Sequence, residues 1–310
     1  MKWIFFLFFF LFALSLHAAL QEEAVSLNTP TGTIYGRLIL PDDKASFSVV
    51  ALLIAGSGPT DMDGNTTMGN IKNNSLKYLA EGLAENGIPS LRFDKRGVAS
   101  SAAAGLQESE LRFEHYIADA KGWIDFLSAD KRFTGVVVIG HSEGALIGLM
   151  ACRNNPKVKG YVSLAGAGRP ADEIIEAQVA AQMTPEAVQK QVADINASLK
   201  EGREVTDVPI YLQTLFRPSV QPYLISWYRY DPQKLIVQGQ TDIQVSVQDA
   251  QRLKHADSRA ELLLIDGMNH VLKVCNSMNP QEQMKVYADP SLPLAEGLVD
   301  ALSRFIRKLS

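Results

Sequence analysis

Gly140-His141-Ser142-Glu143-Gly144 restricts this chain more than any other stretch. An apolar run at 136–139 leads into it and a second at 145–150 leads out. A glycine-x-serine-x-glycine between a strand pattern and a helix pattern predicts a sharp, strained turn. Such a turn leaves the serine hydroxyl standing above the end of a sheet, the arrangement of a nucleophile elbow. Gly140 and Gly144 lack a Cβ, so neighbouring backbone can approach closely. The five-residue pattern alone recurs by chance, and its setting gives it weight.

A buried strand feeding a helix calls for a sheet covered on both faces. The rest of the chain keeps that rhythm. Residues 24–40 read as a β-hairpin about a Thr-Pro-Thr-Gly turn. Residues 48–55 form a continuous apolar run, as expected of a buried strand. Helical periodicity at 75–85 stops at Asn86-Gly87, and strands are predicted at 89–93, 158–164, 234–238 and 261–265. Helices are predicted at 116–127, 247–255 and 294–309. Alternation of this kind predicts an α/β fold with a mostly parallel sheet and helices on both faces. Between about 170 and 230 the rhythm fails, and helical stretches at 171–183 and 185–199 take over. This predicts a helical cap insertion over one sheet edge. With 310 residues, 46% hydrophobic, the chain is long enough for one large core plus such an insertion.

The first nineteen residues read differently. Lys2 is followed by an apolar stretch at 3–16 and by the small pair Ala18-Ala19. That is the layout of a signal peptide cleaved near Ala18/Ala19, predicting a secreted or periplasmic domain at 20–310. The apolar stretch is shorter than the about 20 residues a membrane span needs, so no stable span is expected after cleavage. A net charge of -4 gives no electrostatic footprint for nucleic acid. Cys152 and Cys275 permit one disulfide, and their spacing leaves bridge and free thiols equally open.

A serine hydroxyl needs a base to act as a nucleophile, and the base needs an orienting acid. Of five histidines, His17 falls in the leader. His141 adjoins the serine in the turn and should point elsewhere. His115 lies upstream of the elbow and His255 within a polar helix. His270 follows the last predicted strand, at the carboxyl edge where open α/β sheets place their sites. Asp242 follows the preceding strand and is the expected acid. Asp231 lies at the wrong end of that strand, Asp249 inside a helix, and Asp172 at the start of the insertion. The order is then Ser142, Asp242, His270.

An acyl-transfer oxyanion needs preorganised N–H donors. Glu143, after the serine, supplies one through its backbone. Ser57, in the loop Gly56-Ser57-Gly58-Pro59, is the expected second donor, ahead of Gly58. Asp61-Met62-Asp63-Gly64-Asn65 imitates a calcium loop but places Thr66 and Lys72 at the sixth and twelfth positions, so no metal is expected. Asp94-Lys95-Arg96-Gly97 reads as a charged turn with structural ion pairs. In the insertion, Leu212, Leu215, Phe216, Tyr223 and Trp227 are the candidate acyl-binding residues.

Beyond the elbow, four segments resemble a bacterial group of α/β-hydrolases of the serine-aminopeptidase-like or acyl-esterase type. They are residues 55–65, Phe93-Asp94-Lys95-Arg96-Gly97, Leu215-Phe216-Arg217-Pro218-Ser219 and Gly267-Met268-Asn269-His270. The resemblance covers about 25–310. It implies an α/β-hydrolase fold, an eight-stranded core, a helical cap after the sixth strand, and no cofactor. Met62 stands where the group often has Arg, and Ala99-Ser100-Ser101 where it often has Gly-x-Ser. The expected activity is cleavage of small to medium carboxylic esters through an acyl-enzyme. A peptidase or amidase is the alternative, with Asp172, Glu173 and Glu176 available to anchor a substrate amine. A non-catalytic binding protein is the rival of another class.

Overall fold

The residues of the two most apolar runs, Val50–Ile54 (β3) and Val136–His141 (β5), are all buried. They pair in parallel at the centre of a sheet. Their alternate side chains serve two cores. Val50, Leu52, Ile54, Val136 and Val138 face one side, against Phe113–Ala129 (α2) and Glu143–Cys152 (α3). Ala51, Leu53, Val137 and Ile139 face the other, against Ser75–Glu85 (α1) and Leu298–Arg307 (α10). Period-two alternation with both faces covered is why these strands read as unbroken apolar runs. Each large side chain so buried contributes about 1.5–3 kcal/mol.

The structure is a computed structural model that describes residues 20–41, 46–66, 71–230, 236–258 and 260–309. The leader expected at 1–19 and Asp231 lie outside the described residues. The other strands are Gln21–Thr29 (β1), Gly32–Leu40 (β2), Ser90–Phe93 (β4), Val158–Leu164 (β6), Ile236–Gly239 (β7) and Leu262–Ile265 (β8). They form one eight-stranded sheet in the order β1-β2-β4-β3-β5-β6-β7-β8. The β1–β2 and β2–β4 pairs are antiparallel and the remaining neighbours parallel, so the α/β fold has a mixed sheet.

Boundaries shift where end signals are weak. Helix α2 begins at Phe113 rather than 116, because the Nδ1 of His115 accepts the Arg112 N–H and closes its first turn. The closing helix starts at 298 rather than 294, after Gly297 at φ 80°. Pro280–Tyr287 (α9) is a helix the periodicity did not announce. Its signal was Asn279-Pro280: the asparagine side chain accepts the Gln281 N–H, and proline suits a first helical position. Val247–Ala256 (α8) matches the expected span closely.

Between β6 and β7 the described residues are helical. Ala171–Ala181 (α4), Glu186–Lys200 (α5), Gln213–Phe216 (α6) and Gln221–Trp227 (α7) make up the insertion. Several contacts tie it down. Ser226 Oγ accepts the Phe113 N–H at 2.8 Å, capping α2 from above. Arg217 and Ser219 both donate to the Glu108 carboxylate. Phe113 stacks on Trp227 with centroids 5.9 Å apart.

Candidate active site

Ser142 sits at φ 54°, ψ -122°, a conformation strained for any residue with a side chain. The surroundings enforce it. A Cβ on Gly140 would stand 2.1 Å from the Gly144 oxygen, and one on Gly144 would stand 2.4 Å from the Ile54 oxygen. Only glycine lets β5, α3 and β3 approach this closely. The Ser142 N–H donates to Leu164 of β6 at 2.9 Å, which pins the turn to the next strand.

Ser142, Asp242 and His270, far apart in sequence, meet above the carboxyl ends of β5, β7 and β8. His270 Nε2 lies 3.0 Å from Ser142 Oγ, and His270 Nδ1 lies 2.9 Å from Asp242 Oδ2. A carboxylate can only accept, so Nδ1 carries the hydrogen and Nε2 is free to accept from the serine hydroxyl. Asp242 is held in turn. Its Oδ1 accepts the N–H groups of Gln244 and Val245, and its Oδ2 also accepts from Gln238 Nε2 at 3.0 Å. Thr241 joins the two loops by donating to the Met268 carbonyl through both its N–H and its hydroxyl.

His141 does not point away, as its place in the turn suggested. Its buried ring faces His270 with centroids 5.0 Å apart, and its Nε2–H donates to the His270 carbonyl at 2.7 Å. Burial, and then the positive charge His270 can carry, lower its pKa to about 4. The ring is therefore neutral near neutral pH and donates to the backbone of His270.

Glu143 engages the surrounding structure through its side chain as well as standing at the start of α3. Its backbone N–H lies in the first turn, where a helix has no internal partner for it. The carboxylate is buried and accepts from Lys95 Nζ at 2.8 Å and from the Tyr223 hydroxyl. Lys95 also donates to the carbonyls of Gly56 and Gly58, either side of Ser57. Its neighbour Arg96 pairs with buried Asp119 and with Thr31. The charged turn is thus two buried ion pairs. In the acidic loop, Asp61 accepts the Asp63 and Asn65 N–H groups, and Asp63 pairs with Arg92.

A cavity of about 90 Å³ opens beside Ser142, with Ser57, Glu143, Leu146, Arg169, Ile174 and Trp227 among its walls. Of the five acyl-binding candidates only Trp227 reaches it. Leu212 and Phe216 pack in the core under the insertion, and Leu215 is 40% exposed. Tyr223 is spent on Glu143. The apolar residues of α6 and α7 hold the insertion together, and α4 supplies much of the roof. Arg169, missed in the sequence, hydrogen-bonds Asp249 from the cavity wall. The amine anchors do not line the cavity: Asp172 takes a bond from Lys200 and Glu176 one from Asn196. Cys152 and Cys275 are both free thiols.

Comparison with known proteins bears on the fold and the family. No curated protein matches the chain in sequence. Among solved structures, a Pyrococcus furiosus esterase superposes with a TM-score of 0.58 at 16% identity, over 94% of this chain and 91% of its own. The esterase domain of a Rhodothermus marinus protein gives 0.54 at 16%, over 94% and 100%. A hypothetical protein of Pseudomonas aeruginosa gives 0.59 at 14%, over 96% of each chain. At such identities the likeness is one of fold. The profile of the serine aminopeptidase S33 family matches residues 72–262, from before α1 into β8. Those residues span the elbow, the insertion and Asp242, so the chain belongs to the serine aminopeptidase S33 family of the α/β-hydrolase superfamily.

Proposed function

We propose that this hydrolase is a serine carboxylesterase acting on short acyl esters through an acyl-enzyme. Ser142 Oγ attacks the ester carbonyl while His270 Nε2 takes its proton. Asp242 holds the ring and stabilises the imidazolium. The N–H groups of Glu143 and Ser57 receive the oxyanion. His270 then protonates the leaving alcohol, and water attacks the acyl-enzyme by the reverse path.

One observation carries the choice of ester. The hydrogen-bonded chain from Asp242 to Ser142 ends at a cavity whose only carboxylate side chain among the described residues, Glu143, already faces Lys95 and Tyr223. A substrate ammonium would find no free anion there, since the other charged wall residue is Arg169, a cation already paired with Asp249. The small cavity favours acetyl or butyryl over long chains.

Turnover of p-nitrophenyl acetate, butyrate and octanoate by wild type and Ser142→Ala tests this. Expected is a preference for the short esters and complete dependence on Ser142. Faster cleavage of aminoacyl-nitroanilides would favour a peptidase. No turnover, together with no labelling by a fluorophosphonate, would leave a binding protein.

We also propose that the chain is exported and cleaved near Ala19. The start of β1 at Gln21 supports that position. N-terminal sequencing of purified protein tests it, and a mature chain beginning at Met1 would overturn it.

A further inference from the structure

Lys95 is a buried ammonium that the proposed reaction does not use. Its side chain is 3% exposed and that of Glu143 2%. Such a pair is costly to bury and contributes little net stability against an apolar replacement of similar size. The contacts of this lysine give it a different role. Its Nζ donates to Glu143 Oε2 at 2.8 Å, to the Gly56 carbonyl at 3.0 Å and to the Gly58 carbonyl at 3.4 Å. The Tyr116 ring lies beneath it, 4.3 Å away.

The Gly56 carbonyl and the Ser57 N–H belong to one peptide unit. That unit is planar and trans, so fixing the carbonyl direction fixes the N–H in the opposite direction. A cation on the carbonyl oxygen also polarises the unit and strengthens its N–H as a donor. The third partner of Lys95 is the side chain of Glu143, whose backbone N–H is the other oxyanion donor. One ammonium therefore holds the carbonyl of the peptide unit that carries the Ser57 N–H and the side chain of Glu143. The two come from different segments, the loop after β3 and the start of α3, and Lys95 bonds to both.

We propose that Lys95 is a positioning residue that struts the oxyanion hole, setting the direction of the Ser57 N–H through the Gly56 carbonyl and holding that loop at a fixed distance from Glu143. The Tyr223 hydroxyl, donated from α7 to the same carboxylate, ties the insertion to this strut. The inference rests on the serine-hydrolase reading above, since the oxyanion forms when Ser142 adds to an acyl carbonyl.

A merely structural lysine would affect folding but not the transition state. Lys95→Met keeps nearly the same volume and removes the ammonium, leaving the Glu143 carboxylate buried with Tyr223 as its only side-chain donor. Lys95→Met with Glu143→Gln removes that stranded charge while preserving an acceptor for Tyr223. Kinetics on p-nitrophenyl acetate and thermal unfolding would be measured for wild type, both variants and Ser142→Ala. Affinity for a trifluoromethyl ketone, which forms a hemiketal oxyanion on the serine, would be measured alongside.

The expected result is a fall in kcat of about 10- to 100-fold in both variants, somewhat less than the loss of a whole oxyanion donor. KM should stay within about twofold, and ketone affinity should fall in parallel with kcat. The double variant should regain thermal stability without regaining kcat. A double variant with wild-type kcat and ketone affinity would overturn the strut, reducing Lys95 to a counter-ion for Glu143. A Lys95→Met change confined to KM would overturn it too. If wild type itself neither turns over ester nor binds the ketone, the esterase reading falls and the strut with it. Activity in wild type that is lost in Ser142→Ala but unchanged in the lysine variants defeats the strut alone.

Discussion

Beneath Ser142, backbone meets backbone: the oxygen of Gly144 and that of Ile54 sit where a Cβ on Gly140 or Gly144 would have to go. In the insertion above, the contacts are made by side chains, and adjacent residues differ sharply, Phe216 fully buried and Leu215 exposed. The floor is fixed by atoms every residue carries, so only the absence of a side chain at two glycines satisfies it. The roof is fixed by shape and apolar area, which many sequences satisfy. Chemistry placed on the floor tolerates little variation, whereas substrate preference placed in the roof can change without disturbing it.

Substitutions in the two regions should separate accordingly. The largest effect is expected from Asp242→Asn. The new amide would donate to His270 Nδ1 and force the hydrogen onto Nε2, where the ring can no longer accept from Ser142. A loss of about four orders of magnitude in kcat is expected, read from steady-state kinetics, with some loss of Tm because the amide nitrogen cannot accept from Gln238 Nε2. A loss below tenfold would remove Asp242 from the floor machinery.

His141 makes the floor sensitive to acid. The unfolded chain protonates this ring near 6.5, the folded protein only near about 4. Between those values the unfolded state holds the extra proton, so stability is full above pH 6.5 and is lost as pH falls toward 4. The difference amounts to roughly 3 kcal/mol. Urea midpoints measured from pH 7 to 4 should fall in wild type and fall less in His141→Gln. Parallel curves would show that the ring is not held neutral.

Roof substitutions should act on binding. Trp227→Ala removes a wall of the cavity and the stack on Phe113, so KM for p-nitrophenyl butyrate should rise by about tenfold with kcat nearly kept. A fall in kcat alone would instead link the roof to the chemistry. The smallest effect is expected from Leu215→Ala. An exposed leucine outside the cavity should change stability by less than about 0.5 kcal/mol and leave kinetics alone. A clear rise in KM there would restore Leu215 to the acyl site.

Much of this was legible along the chain. The elbow, the base and the acid each follow an apolar run, and parallel strands bring their carboxyl ends to one edge. Local spacing therefore singled out three side chains, Ser142, Asp242 and His270, that the fold places within hydrogen-bond distance of one another. The insertion was visible as a failure of alternation. Its internal assignments went astray because an apolar stripe reads the same whether it faces a substrate or a core. Leu212 and Phe216 face the core, and Leu215 faces outward.

Periodicity, glycine placement and the order of strands fix the sheet and the reactive edge, since these depend on neighbours within a few residues. The partners of Lys95, the inward turn of His141 and the second role of Glu143 depend on contacts between segments distant in the chain. A lysine after β4 acquires its meaning only when the loop after β3 and the helix after β5 close around it, and no local pattern encodes that meeting.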